Sequence, residues 1–174
     1  MEHTVFATPE CNVGLFPSVG GSWWIPRLKA LYKESWDADA AAVVGGVGNY
    51  LPLMDAKLYS DDLMYAGIAT HYVKSERLGE LKKALIESTE GDEVGDCVAG
   101  VLMLFHDISI DIDGAFLSRN REEIDRAFHV KERVEDIVCT LENMESQFAT
   151  STFEIMRQMS PMSLKVTLEG LKRG

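Results

Sequence analysis

The sequence predicts a mainly helical chain with few strands. Three observations carry that reading. Helix-start chemistry recurs along most of the chain, runs that alternate apolar and polar residues are scarce, and Gly, Pro and aromatic residues gather in the first 28 positions. With 174 residues the chain is sized for one domain, and at 46% hydrophobic and 26% charged residues it has ordinary globular composition rather than that of a disordered segment.

The N-terminal region begins with Val5-Phe6-Ala7, a short apolar run that suits a buried strand. Thr8-Pro9 ends it, because proline cannot donate to a ladder. Gly14, Pro17, Gly20 and Gly21 then mark a tight loop. Beyond it, helices are expected at about 22–35, 37–44, 54–66, 75–88, 93–105, 120–127, 130–143, 151–158 and 160–172. Asp37 before an Ala/Val run, Ser60 before Asp61-Asp62 and Ser75 before Glu76-Arg77-Leu78 carry helix-start chemistry, and Asp61 and Asp62 suit a positive helix N-terminus. Asn120 with Glu123 and Ser151 with Glu154 have capping-box spacing, and Ser160-Pro161 places proline at a first helical position. Residues 40–49, with Gly45, Gly46 and Gly48, are expected to be a helix end and a flexible loop. Gly67 closes a helix, and Ile68-Ala69-Thr70-His71-Tyr72-Val73 is the second strand candidate. Two short strands have too few partners for a sheet, and unpaired strand edges need covering.

Composition narrows the function classes. Lys and Arg total 17 against 28 Asp and Glu, giving a net charge of −11, which repels a phosphate backbone or an anionic membrane. Nucleic acid and membrane partners are therefore not expected. Cys11, Cys97 and Cys139 are few and widely spaced, which suits a reducing compartment and gives no thiolate zinc pair. The longest apolar run is too short to span a bilayer, and residues 1–4 carry no targeting signal.

Several clusters could carry chemistry. Glu10 follows a strand and a proline and leads into apolar Val13, Leu15 and Phe16; a desolvated carboxylate in such a place is suited to proton transfer. The alternative is a turn that merely positions a helix. Gly45-Gly46-Val47-Gly48 lacks the Lys-Ser/Thr of a phosphate loop. Asp107, Asp111 and Asp113 lack the closing Glu of a calcium loop. His71 and His106 have no second ligand at helical spacing, so no metal site is expected. Trp23-Trp24 could line a pocket or belong to the core, and Cys11 suits packing.

One segment is more specific. Phe6-Ala7-Thr8-Pro9-Glu10-Cys11-Asn12-Val13-Gly14-Leu15-Phe16-Pro17-Ser18-Val19-Gly20-Gly21-Ser22, followed by Pro26-Arg27-Leu28, resembles the second active-site segment of the 3-hydroxyisobutyryl-CoA hydrolases, members of the crotonase (enoyl-CoA hydratase/isomerase) superfamily. Ala66-Gly67-Ile68-Ala69-Thr70-His71-Tyr72-Val73, Ile124-Asp125-Arg126-Ala127-Phe128 and Met159-Ser160-Pro161-Met162-Ser163-Leu164-Lys165-Val166-Thr167-Leu168 resemble the same hydrolases, in the same order. The resemblance implies an α/β crotonase-like fold of which this chain is a mainly helical fragment. Residues 1–28 would be the active-site segment, with the upstream half absent; 29–53 an insertion, loop and helix; and 54–174 the helical region, truncated at the C-terminus. It implies hydrolysis of an acyl-CoA thioester in valine catabolism and a mitochondrial setting, with coenzyme A as part of the substrate and no metal or other cofactor.

Carried over residue by residue, Glu10 matches the family's catalytic glutamate, and Ser18 stands where these hydrolases usually have Asp. Gly14, Phe16, Gly20 and Gly21 fall at substrate-binding positions. The family's oxyanion hole comes from two upstream backbone N–H groups, and losing one such donor typically costs about 2.7–4 kcal/mol. Hydrolysis by this chain alone is therefore expected to be very low. The alternatives are a non-catalytic crotonase-like fragment that binds a partner or an acyl-CoA, and hydratase or isomerase chemistry. Apolar residues of the first segment, lacking strands to pack on, predict self-association.

Overall fold

A computed structural model describes residues 2–28, 45–88 and 94–173 of the chain. The predicted helix at 37–44 and most of the expected insertion lie outside them. Among the described residues the architecture is helical, and the strand pairing consists of one antiparallel bridge between Phe6 and Leu58, with N···O distances of 2.9 and 2.8 Å. The mainly helical expectation holds.

The N-terminal segment forms a 3-10 turn at Pro9–Cys11, a short helix α1 (Gly21–Trp24) and a second 3-10 turn at Ile25–Arg27. Helix α2 (Val47–Leu53) follows, then α3 (Ser60–Tyr65). A hairpin of α4 (Leu78–Ser88) and α5 (Val94–Phe105) comes next. The remainder is α6 (Phe116–Arg119), α7 (Arg121–Phe128), α8 (Val134–Glu142), α9 (Gln147–Gln158) and α10 (Pro161–Arg173).

The core gathers Ile25, Val47, Leu51, Leu53, Leu58, Leu117, Ile124, Phe128, Ile137, Leu141, Leu164 and Leu168. Tyr50 meets Phe128 edge-on, with ring centroids 5.1 Å apart. Helix α4 buries none of its residues. Its hairpin is held at the base by the Lys74–Asp107 ion pair, at 2.9 Å, and by the Arg77 guanidinium over the Phe105 ring, at 4.5 Å.

Several sequence expectations are corrected. The helix expected at 54–66 is helical only over Ser60–Tyr65, because Leu58 pairs with Phe6 ahead of it. The 22–35 helix leaves helical geometry by Leu28, whose ψ is 134°. The 68–73 stretch is not a strand. The Ile68 and Ala69 amides donate back to the Leu63 carbonyl, and the Tyr72 amide donates to His106 Nδ1 at 2.9 Å, so these groups have no ladder to join.

Residues 45–49 are not a flexible loop. The Gly46 amide donates to Asp125 Oδ1 at 2.7 Å, and α2 starts at the next residue. A Cβ on Gly46 would lie 2.4 Å from the Ile124 carbonyl oxygen, so only glycine permits this approach to α7. Ser146, rather than Ser151, caps α9 by accepting from the Ala149 amide at 3.1 Å. The Asn120 side chain donates to the Phe116 carbonyl instead of capping α7. Ser160-Pro161 does begin α10 as expected, with Ser160 Oγ accepting from the Ser163 amide at 3.3 Å.

Candidate active site

Glu10 lies in the middle of the Pro9–Cys11 turn. The turn arises locally: Pro9 fixes the first φ, the Asn12 amide donates to the Pro9 carbonyl at 3.0 Å, and the Leu15 amide reaches back to the Glu10 carbonyl at 2.7 Å. The side chain of Glu10 is partly buried. Its Oε2 is buried and has no hydrogen-bond partner, the sole such side-chain atom among the described residues. Leaving a buried acceptor unmade costs about 1–3 kcal/mol, and groups of this kind concentrate where chemistry or a ligand uses them.

The turn is fastened to the rest of the molecule on both sides of Glu10. The Thr8 hydroxyl donates to the Leu51 carbonyl at 2.6 Å. Cys11 Sγ lies 3.3 Å from the Pro52 carbonyl oxygen and 3.2 Å from Thr167 Oγ1 on α10. Burial pushes the Cys11 thiol pKa up, with the Glu10 charge adding to the rise and Thr167 opposing it. Cys11 is therefore a protonated packing group, as expected from the sequence. Asn12 adds an exposed bond to Asp55 at 3.2 Å.

The other predicted site residues follow in the same segment. Ser18 is exposed, and its carbonyl accepts from the Gly21 amide at 2.9 Å. Gly20 has φ 81°, a left-handed conformation that a side chain would strain, and it caps α1. Gly14 and Phe16 are exposed. Gly21 is buried, and a Cβ there would meet the Pro17 ring at 3.0 Å, so it shapes the turn rather than its surface. Val13, Leu15, Phe16, Val19 and Trp23 are all more than half exposed and give this side of the chain an apolar face. A cavity of about 430 Å³ lies between the start of α8 and α10, and one of about 350 Å³ between α8, α9 and α10; residues 9–21 line neither.

The remaining candidates separate. Trp24 packs on Phe6, with ring centroids 6.2 Å apart, whereas Trp23 lies exposed beneath the Arg27 guanidinium. His71 and His106 meet edge-on at 5.5 Å. Asp111 closes a turn by accepting from the Gly114 amide at 2.9 Å. Sequence reasoning missed Thr8, Leu51, Pro52 and Thr167 as supports of the Glu10 turn, since nothing in the local pattern marks partners 43, 41 and 156 residues away.

A helical chain presenting a glutamate on an anchored turn between a short extended segment and a glycine-rich helix entry matches the family described as enoyl-CoA hydratase/isomerase over residues 1–174. The chain belongs to that family. Within it, the mitochondrial 3-hydroxyisobutyryl-CoA hydrolase of Gallus gallus is 38% identical over 99% of this chain and 41% of its own length. The Homo sapiens protein of the same name is 35% identical over the same shares. The chain thus spans about two fifths of the length of the curated relatives it matches. Among solved structures, a Rhodobacter sphaeroides enoyl-CoA hydratase superposes with a TM-score of 0.72 at 27% identity, covering 99% of this chain and 42% of that one. A Mycobacterium thermoresistibile carnitinyl-CoA dehydratase shares the fold, with a TM-score of 0.75 at 24% identity over 99% of this chain and 43% of that one. Among the described residues no helix is long and apolar enough to cross a membrane.

Proposed function

We propose that this chain carries the reacting carboxylate of an acyl-CoA thioester hydrolase of the 3-hydroxyisobutyryl-CoA type, acting in valine breakdown in the mitochondrion. The observation that carries the reading is the buried, unpartnered Oε2 of Glu10 on a turn fixed from both sides. The names of the relatives support the substrate class.

In this reading Glu10 either takes a proton from the water that attacks the thioester carbon, or attacks that carbon itself to form a mixed anhydride that water then opens. In both routes the C–S bond breaks, the sulfur leaves as the CoA thiolate and takes up a proton, and the free acid remains. The reaction uses no metal or redox cofactor, and CoA enters as part of the substrate. Ser18, in the same loop as Glu10, supplies in this reading a neutral hydroxyl that can donate and accept but carries no charge. Gly14, Phe16 and Gly20 form the exposed rim along which the acyl-CoA lies, with Gly21 setting the turn beneath. The donors that stabilise the oxyanion come from sequence beyond the matched two fifths of the relatives.

The test is CoA release from 3-hydroxyisobutyryl-CoA by a chimera in which this chain replaces the matched 41% of the Gallus gallus hydrolase. Hydrolysis is expected. Hydration of crotonyl-CoA without hydrolysis would favour hydratase chemistry. A second reading, a non-catalytic chain that binds a partner or an acyl-CoA, is favoured by the exposed Val13, Leu15, Phe16, Val19 and Trp23. Acyl-CoA binding with no turnover in the chimera would establish it.

A further inference from the structure

We infer that Thr167, acting through Cys11, positions Glu10, an inference that rests on the hydrolase reading above. The Pro9–Cys11 turn is only three residues long and has no side-chain cap of its own, so its placement depends on what holds its two ends. The Thr8 hydroxyl holds the leading end on the Leu51 carbonyl. Cys11 holds the trailing end. With its S–H directed to the Pro52 carbonyl at 3.3 Å, its sulfur accepts from the Thr167 hydroxyl at 3.2 Å. The three side chains are 6%, 0% and 3% exposed, so water does not substitute for these bonds.

The two carbonyls belong to the last turn of α2, where a helix runs out of intrahelical donors; the Leu51 carbonyl has only a long bond from the Met54 amide, at 3.4 Å. Side chains flanking Glu10 satisfy them and couple the turn to α2. Thr167 couples it to α10 as well. A reacting group must be held to within about 0.5 Å, and a displacement of about 1 Å can cost about a hundredfold in rate. A hydroxyl 156 residues away along the chain therefore bears on the reacting carboxylate without touching substrate.

The test compares Thr167→Val, which removes the hydroxyl at similar volume, with Thr167→Ser, which keeps it. The first readout needs no activity. It is hydrogen exchange of the Leu15 amide, which donates to the Glu10 carbonyl, measured on this chain. Thr167→Val should speed that exchange by roughly two- to tenfold, the effect of losing one neutral hydrogen bond, while the His106 amide at the end of α5 is unchanged. Thr167→Ser should restore the wild-type rate. Cys11→Ala should reproduce the Val result and serves if Thr167→Val does not fold. The second readout is kinetic. In the chimera, Thr167→Val should lower kcat about tenfold with KM within about twofold, and Ser should rescue it. Unchanged Leu15 exchange in both Thr167→Val and Cys11→Ala, or equal damage from Val and Ser, would overturn the assignment. A chimera without thioester hydrolysis would refute the hydrolase reading, and the exchange measurement would still decide whether Thr167 holds the turn.

Discussion

Gly46→Ala should destabilise the chain although alanine is the better helix former. Gly46 has ordinary right-handed dihedrals, φ −64° and ψ −25°, so the substitution brings no backbone strain of its own. What opposes it is space. The new methyl carbon would lie 2.4 Å from the Ile124 carbonyl oxygen and 2.8 Å from both the Ile124 carbonyl carbon and Asp125 Cα, all backbone of α7. Relief needs α2 and α7 to part by about 1 Å, which stretches the 2.7 Å bond from the Gly46 amide to Asp125 and loosens the Tyr50–Phe128 contact. Overpacking costs about 1–3 kcal/mol and a weakened bond to a charged acceptor up to about 1.5–3 kcal/mol, so a loss of about 2.5–6 kcal/mol is expected. For a chain of this size each kcal/mol moves Tm by about 2–4 °C. Thermal unfolding followed by circular dichroism should therefore show Tm lower by about 10 °C. Gly100→Ala in α5 is the control, since a Cβ there meets nothing within 4 Å, and it should leave Tm unchanged or raise it. A Gly46→Ala chain melting within about 1 °C of wild type would refute the close approach, and with it the setting of α2 beneath the Glu10 turn.

Two further predictions concern a buried charge and an exposed face. Burial holds the Asp62 carboxyl above the usual carboxylate range, opposed by its bond from the Leu117 amide at 2.8 Å, with Asp61 adding to the rise and Arg119 reducing it. The folded chain thus binds this proton more tightly than the unfolded one, so the contribution of Asp62 to stability grows as pH falls toward its ordinary value and is lost as pH rises through the folded one. Asp62→Asn keeps an acceptor for Leu117. Melts from about pH 7 to about pH 4 should show wild type gaining on the variant, and a constant difference would contradict the burial argument. The apolar face predicts self-association: sedimentation should show concentration-dependent mass, reduced in Leu15→Ser/Phe16→Ser, whereas a monomer at all concentrations would count against it.

How much of this was legible in the sequence depends on how local the cause was. Pro161 after Ser160 marks a helix start by its own chemistry, and α10 begins there. Glu10 could be singled out because proline and apolar neighbours set it apart within a few residues. Helix α2 was hidden because Gly45, Gly46 and Gly48 resemble loop punctuation; the reason for Gly46 is a helix about 80 residues later. The 68–73 stretch has strand-like composition, but Leu63 and His106 take its backbone bonds, which a period-two pattern does not foresee. The supports of Glu10 were invisible for the same reason, since Thr167 marks itself only as one polar position on an amphipathic helix.

The central claim is that Glu10 performs the chemistry and Ser18 assists it. The direct measurement is kcat for CoA release from 3-hydroxyisobutyryl-CoA in the chimera carrying Glu10→Gln, set beside Ser18→Ala in the same assay. Gln keeps the size of Glu but cannot take a proton or form an anhydride, so a loss of at least about 10²–10⁴-fold is expected with KM little changed. Ser18→Ala should cost about 0.5–1.5 kcal/mol, or roughly two- to tenfold. Turnover that survives Glu10→Gln, or falls further with Ser18→Ala, would contradict the role given to Glu10.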